Sequence, residues 1–491
     1  MLMANEHGEK HAADVLSSSG NEDASPGPNS EKEQDSARRD VRGRNEAEGI
    51  VQADRAKDDD FGMENDDSPF EGLGELEAPP PDENPDESRY YRRGSLETTR
   101  SESRRRSQSR SKTEPRPSQY LLHLYTYSYL ILFSIFGTLA RLGTQWVANY
   151  ANAPVTPSEL WANVGGCLVM GFLMEDRALF RTPQKSRSEP PARLKVDSDS
   201  SDAEKLNKDL AVLQGELEKR KSGKAHLAYK KTLPLYIGLT VGFCGSYTSF
   251  SSAMRDAFLA LSNDLTPKNA SSGSRNDAWS VCAVVAVIIL EVGLSLAALS
   301  FGAHLCEASM PILRRLPSVN KIRFLDFLAV FLGFGCWLGT VFLAIWPPQN
   351  RWRQDAVFAI VFAPLGCILR FLLSIKLNSL IARFPLGTFV ANVFGCMVLA
   401  MCYDLQRAPL ASAAGQVGGG LVGCQVLQGV IDGFCGCLTT VSTWVAELKG
   451  LRKKHAYEYG FASVAVGLSF MIVIIGSLHW TIGLSKAVCT S

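Results

Sequence analysis

The chain has little of what soluble catalysis or metal chemistry leaves in a sequence. Across its 491 residues there is no convincing Walker loop, dinucleotide fingerprint, HExxH or GxSxG, so catalysis of those classes is excluded. Its 12 cysteines, Cys167, Cys244, Cys396 and Cys435 among them, mostly sit in apolar runs without paired ligand spacing or neighbouring histidines. That removes the usual zinc signatures and leaves cysteine as a small apolar packing residue. Residues 1–117 lack apolar runs and are rich in Asp, Glu, Arg, Ser, Pro and Asn. Such a segment cannot bury enough apolar surface to offset its ordering entropy, so a disordered tail is expected there. The first residues also lack the apolar core of a signal peptide. The formal net charge of +1 says little about partners, because it sums an acidic tail, basic loops and neutral helices.

From about Tyr120 the composition changes. Apolar stretches close to twenty residues long follow one another, enough for each to span a hydrocarbon core of about 30 Å. The spans fall at Tyr120–Ala148, Leu160–Leu179, Leu233–Leu261, Trp279–Leu305, Phe324–Trp346, Ala356–Leu380, Leu386–Tyr403, Gly418–Val445 and Phe461–Leu484. This predicts an all-α polytopic membrane protein with nine spans and its two ends on opposite faces. With the N-terminus in the cytoplasm, the inside loops hold Arg104–Arg106, the Lys/Arg-rich insert 181–232, Arg314, Arg315, Lys321, Arg323 and Lys449–Lys454. The outside loops hold only scattered cations, so the positive-inside rule supports this orientation. The sequon Asn269-Ala270-Ser271 then lies outside, which adds weak support. The Arg/Ser-rich segment Arg92–Lys112 has the composition of an RNA-binding tract. Beside a first span it reads better as a basic segment facing anionic lipid, open to phosphorylation. No nucleic-acid partner is expected.

The most informative feature is a repeat. GTLAR ending at Arg141 recurs as GCILR ending at Arg370, and ANVGGCLVMG around Asn163 recurs as ANVFGCMVLA around Asn392. GFCGSYTSFSS (Gly242–Ser252) recurs as GFCGCLTTVST (Gly433–Thr443). Residues 118–305 and 354–491 therefore form two four-helix repeats, with the insert 181–232 in the first and a single connecting helix within 306–353. One connecting span reverses the second repeat, so the two face each other as an inverted repeat about a pseudo-twofold axis in the membrane plane. Gly335 and Gly339 give the connector a GxxxG packing face.

Polar groups repeated at membrane depth are costly and call for a reason. Gly-Phe-Cys-Gly followed by Ser and Thr weakens the third helix of each repeat in its middle. Two facing breaks can offer carbonyl oxygens to a central cation, whereas one alone reads as a glycine kink. Asn163 and Asn392 offer N–H donors to an anion without a competing charge, the alternative being a structural hydrogen bond between helices. Glu291 lies mid-run, either for proton coupling or, in the favoured structural reading, paired with Arg141 or a backbone donor. Arg141 and Arg370, near the ends of their spans, stabilise an anion vestibule or else snorkel or pair.

These motifs resemble the CrcB-type fluoride channel family in its fused eukaryotic form, over roughly residues 120–484. The resemblance implies a single chain equivalent to a pair of small four-helix subunits in antiparallel array. It places a structural sodium ion on the backbone carbonyls of Gly245, Thr248, Gly436 and Thr439, and an anion pathway along Asn163, Asn392, Thr388, Ser251, Ser442 and Thr443. The family's paired pore phenylalanines fall on Phe250 and Ala253 in one half and on Val441 and Trp444 in the other. Since each pathway draws one position from either half, one combines Phe250 with Trp444 and the other Val441 with Ala253. The family's threonine four before the Asn is Thr388 in the second half and Glu159 in the first. One working pathway and one degenerate one are expected, in a monomeric plasma-membrane protein with the C-terminus outside. Fluoride and membrane lipid are the expected partners. The rival readings are a proton-coupled transporter of another small solute using Glu291, and a receptor or scaffold acting through its phosphorylatable tail.

Overall fold

Thirty consecutive residues free of proline make the first helix, α1 (Gln119–Ala148), in the computed structural model of the chain. The structure describes residues 119–148, 155–181, 225–265, 276–317, 324–346, 356–408 and 420–490, with a few isolated positions between them. The tail 1–117, most of the insert 181–232 and the sequon at Asn269 lie outside the described residues. All described residues belong to one unit, Pro69–Ser491.

After α1 come α2 (Leu160–Glu175), α3 (residues 234–247), α4 (Phe250–Leu261), α5 (Asp277–Leu313) and α6 (Phe324–Ile345). The second set is α7 (Phe358–Leu377), α8 (Leu386–Arg407), α9 (residues 420–438), α10 (Ser442–Gly450) and α11 (Lys453–Thr481). The order is the same in both sets, with α6 between them: one long helix, a second, a broken third made of two pieces, and a long fourth. Among the described residues, seven helices are long and apolar enough to cross a membrane, while α2 is a shorter apolar helix. The broken third element of the first set, α3 plus α4, is not among the seven.

Local chemistry sets the helix ends. α2 stops at Glu175, not at Leu179, because Asp176 turns extended and its carboxylate accepts from the backbone N–H groups of Ala178, Leu179 and Phe180. The buried Lys230 ammonium then donates to the carbonyls of Leu173, Met174 and Asp176 at 2.7–2.9 Å. A cation on the last carbonyls of a helix opposes its dipole favourably.

The outer faces of α5, α6 and α11 expose large apolar side chains, among them Ile289, Phe327, Phe331, Phe342, Phe461 and Val473. An exposed apolar belt of that extent suits lipid contact and not water. The connector does not pack through Gly335 and Gly339, where nothing lies within 4 Å. It uses Gly333, against which the Ser128 carbonyl of α1 comes so close that an added Cβ would sit 2.7 Å from it. Tyr129 of α1 donates to Asp326 at 3.0 Å, and the Trp337 indole donates to the Val361 carbonyl of α7 at 3.0 Å. These contacts, and not a glycine face, hold α6 to both sets.

The cysteine expectation also needs a correction. Cys424, near the start of α9, is disulfide-bonded to Cys489 in the C-terminal segment. The pairing spans 65 residues of sequence, which no local spacing announces. Ser485 strengthens this return by bonding the Arg407 carbonyl at the end of α8 through both its N–H and its hydroxyl. The cysteines first singled out as packing residues, Cys167, Cys244, Cys396 and Cys435, are buried and free.

Candidate ion pathway

Both third helices fail in the same way. α3 winds as a π-helix over Gly238–Cys244 and α9 over Val430–Cys435. The wider turn leaves carbonyls without regular partners, as π segments at functional sites often do. Each helix then ends in an extended threonine, Thr248 (φ −101°, ψ 148°) and Thr439 (φ −93°, ψ 152°), before a short helix resumes.

Side chains from the other half repair the damage. Arg370 donates to the π-segment carbonyl of Val241 at 2.8 Å and to Cys437 at 2.9 Å. Arg141 donates to the matching carbonyl of Asp432. Thr439 Oγ1 accepts from the Ser251 N–H at 3.1 Å, so it caps α4 from across the seam. Thr248 Oγ1 accepts from the Val441 and Ser442 N–H groups at 3.2 Å and caps α10 in return. Gly245 and Gly436 make room for the guanidinium of Arg370 and Arg141 respectively, which an added methyl would push away from its carbonyl. The two arginines are therefore not near the surface: both are buried, at 1 % and 2 % exposure, and each locks the opposite broken helix.

The asparagines act on the same breaks. Asn163 Oδ1 accepts the Ser249 N–H and Asn392 Oδ1 accepts the Thr440 N–H, each at 2.9 Å. Those amides would otherwise serve the carbonyls of Gly245 and Gly436 in a continuous helix. The Ser252 and Thr443 amides, which would serve Thr248 and Thr439, turn instead to Ser249 Oγ and Thr440 Oγ1. All four carbonyls of Gly245, Thr248, Gly436 and Thr439 thus lose their helical donors at one seam. Neutral carbonyl oxygens released in this way fit a hard monovalent cation such as sodium. Among the described residues no His, Cys, Asp or Glu cluster offers a competing metal site.

Around the shared frame the two halves diverge. Phe250 and Trp444 come together edge-on, with ring centroids 5.3 Å apart and planes at 67°. Both are buried in the main apolar cluster, where an added Cβ at Gly467 of α11 would sit 3.0 Å from the Phe250 ring. Ala253 and Val441 belong to the same cluster but bring no second ring pair. Ser251 and Ser442 lie in the seam, with hydroxyls 3.0 and 3.2 Å from those of Thr439 and Thr248. Thr443 instead lines a small cavity with Lys231, Thr240, Arg370 and Ser374.

Thr388 leads to residues that sequence reasoning missed. Its hydroxyl donates to Glu447 at 2.6 Å, and Tyr459 donates to the other carboxylate oxygen at 2.7 Å. All three are buried. The signal was present in the repeat: Asp256 stands as far beyond Thr248 as Glu447 does beyond Thr439. In the first half that position is different, since Asp256 accepts from Arg255, Ser158 and the Glu159 N–H. Glu159 itself accepts from Gln145. Glu291 bonds neither Arg141 nor the backbone. Its Oε2 takes the Asn163 Nδ2 donor at 2.9 Å, in addition to the longer 3.5 Å contact of that donor with the Ser249 carbonyl. Among the described residues the Asn392 Nδ2 donates only to the matching Thr440 carbonyl, at 3.3 Å.

An all-α multi-pass membrane protein, with two broken helices that cap and bolt each other across a polar seam, is the class these features define. The chain belongs to the CrcB family: the family model described as "CrcB-like protein, Camphor Resistance (CrcB)" matches it twice, over residues 128–303 and 357–477. A fluoride export protein 1 of Neurospora crassa is 50% identical over 383 residues, covering 75% of this chain and 69% of the relative. One from Candida albicans is 32% identical over 354 residues, covering 72% and 79%. The fluoride-specific ion channel FluC of Pseudomonas aeruginosa is 33% identical over 138 residues, 27% of this chain and 98% of its own length. No solved structure matches the chain.

Proposed function

We propose that this chain exports fluoride from the cell through one passive anion pathway in the plasma membrane. The observation that carries the single pathway is the edge-on meeting of Phe250 with Trp444, with no second aromatic pair at Ala253 and Val441. The positive edge of a ring can approach an anion where its face cannot. Asn392, Thr388 and the Glu447–Tyr459 pair belong to the same half and extend the polar lining. The other half has Glu291 on its pore asparagine and Glu159 in place of Thr388, each with one carboxylate oxygen left without a partner and so unfavourable to an anion, whereas both oxygens of Glu447 are covered by hydroxyl donors. Relatives named as fluoride export proteins and as a fluoride-specific channel support the choice of ion.

A passive route is sufficient. Hydrogen fluoride enters as a neutral weak acid and ionises in the near-neutral cytosol, and an inside-negative membrane drives the anion out with about 2.3 kcal/mol per charge per 100 mV. The protein's task is then to replace a tightly held hydration shell with amide, hydroxyl and ring-edge donors, without enzymatic chemistry. Nine spans, counting α2 and the α3–α4 break as crossings, would put the two ends on opposite faces, and the positive-inside bias favours the N-terminus inside. The Cys424–Cys489 disulfide supports that orientation, because it puts the bond on the oxidising face. A sodium ion on the four released carbonyls would supply a fixed positive charge at the seam. One chain holds both halves, so the functional unit is a monomer bathed in lipid.

Purified protein in fluoride-loaded liposomes should release fluoride, but not chloride, down its gradient once a counter-ion pathway is provided. Flux that is absent, or uphill and driven by a proton gradient, contradicts the proposal; the latter is what a transporter coupled through Glu291 would show. Cells that lose this protein should stop growing on fluoride, and a chain lacking residues 1–110 should restore growth.

A further inference from the structure

At the ring pair of the pathway lies a buried donor without a protein partner. Trp444 is 3 % exposed, and its indole Nε1 finds no acceptor. An indole N–H can only donate, and buried donors without partners are rare enough that each calls for an ion, a water or a functional reason. Elsewhere the same fold satisfies an indole: Trp337 donates to the Val361 carbonyl at 3.0 Å. The nearest acid on the same helix does not serve Trp444 either, because Glu447, one turn on, takes the hydroxyls of Thr388 and Tyr459.

Trp444 is the third residue of α10, in the first turn, where the helix dipole favours negative charge. Opposite the benzene side of the indole next to Nε1, α11 presents Gly460, whose added Cβ would lie 4.0 Å from Trp444 Cζ2. No side chain from that position covers the ring. The Phe250 ring meets the indole at 67°, so the ring that carries the unpartnered donor also borders a second ring edge. We infer that the Trp444 indole N–H donates a hydrogen bond directly to the passing fluoride ion, making the Phe250–Trp444 junction a coordination site with a true N–H donor as well as ring edges. Because the donor is neutral, it can replace a water of hydration without trapping the anion, as conduction demands. Trp444 is then a selectivity-determining residue. This inference rests on the fluoride pathway proposed above.

The test uses the full chain in lipid. Trp444→Phe keeps an aromatic ring of nearly the same reach and removes only the donor. In liposomes it should lower the fluoride flux by about tenfold or more, the scale of one hydrogen bond to a charged group. In nanodiscs, protein labelled with indole-15N tryptophan should show one indole resonance that moves on titration with sodium fluoride but not with sodium chloride, and this resonance should be missing from Trp444→Phe. Wild-type flux in Trp444→Phe overturns the inference. So does a reduced flux with no fluoride-sensitive indole resonance in the wild type, since the ring would then only pack. If the wild type itself passes no fluoride, the pathway falls first and the donor role with it.

Discussion

The two halves of this chain share the main contacts that build the seam and differ in most of the contacts beside the proposed path. Arg141 and Arg370, Thr248 and Thr439, and Asn163 and Asn392 each make the same bond to the opposite or adjacent break. By contrast, Phe250 faces Trp444 while Val441 and Ala253 have no ring to offer. Thr388 bonds Glu447 where Glu159 sits beside Asp256. Both asparagine amides reach the matching backbone carbonyl, but only that of Asn163 also meets a carboxylate, Glu291. Packing tolerates no drift where each half completes the other, because an unmet buried carbonyl or amide costs about 1–3 kcal/mol. A path is needed only once, and its second copy is free to diverge.

The strongest challenge to the symmetric part of this comparison is a side chain at the guanidinium contacts. Gly245→Val and Gly436→Val should each destabilise assembly strongly, because the added carbons displace the guanidinium of Arg370 or Arg141 and must themselves be fitted into the seam. Loss of monodisperse protein in detergent is the expected result for both, and a difference between them would show that the halves are not equally interlocked. A smaller effect is expected from Arg370→Met and Arg141→Met, which leave carbonyls unmet but create no overlap. Arg370→Met should be the more damaging, by about 1–3 kcal/mol measured by denaturation in detergent, since Arg370 serves both Val241 and Cys437 while Arg141 is seen to serve Asp432 alone. Least of all should come from Glu291→Gln, which can still accept from Asn163 and lies beside the degenerate half. Fluoride flux within about twofold of wild type sharpens the asymmetry, and a proton-gradient dependence that vanishes in the variant breaks it.

Much of this was legible in the sequence because repetition carries information that single motifs do not. The paired Asn frames and the paired Gly-Phe-Cys-Gly breaks locate the seam, and the Phe250/Ala253 and Val441/Trp444 exchange foretells where the rings meet. What stayed hidden depends on chain separation. Arg141 and Asp432 lie 291 residues apart, and no periodicity links a side chain to a carbonyl at that distance, so the sequence left a vestibule role, snorkelling and pairing open for the arginines and could not name the carbonyls they bond. Cys424–Cys489 escaped for the same reason. The Gly335/Gly339 spacing misled because a small-residue face is a face only if a neighbour occupies it, and here Gly333 has the neighbour. Glu447 was overlooked because one acid after a span looks like a solvated end until Tyr459 closes over it.

The central claim is that fluoride moves through one path, at Phe250 and Trp444. The most direct measurement is the initial rate of fluoride release from liposomes for Phe250→Ile beside Val441→Ala, two substitutions at matching positions of the repeat. Loss of release in Phe250→Ile with near wild-type release in Val441→Ala is the predicted result. Intact release in Phe250→Ile, or its loss in Val441→Ala alone, would contradict the account.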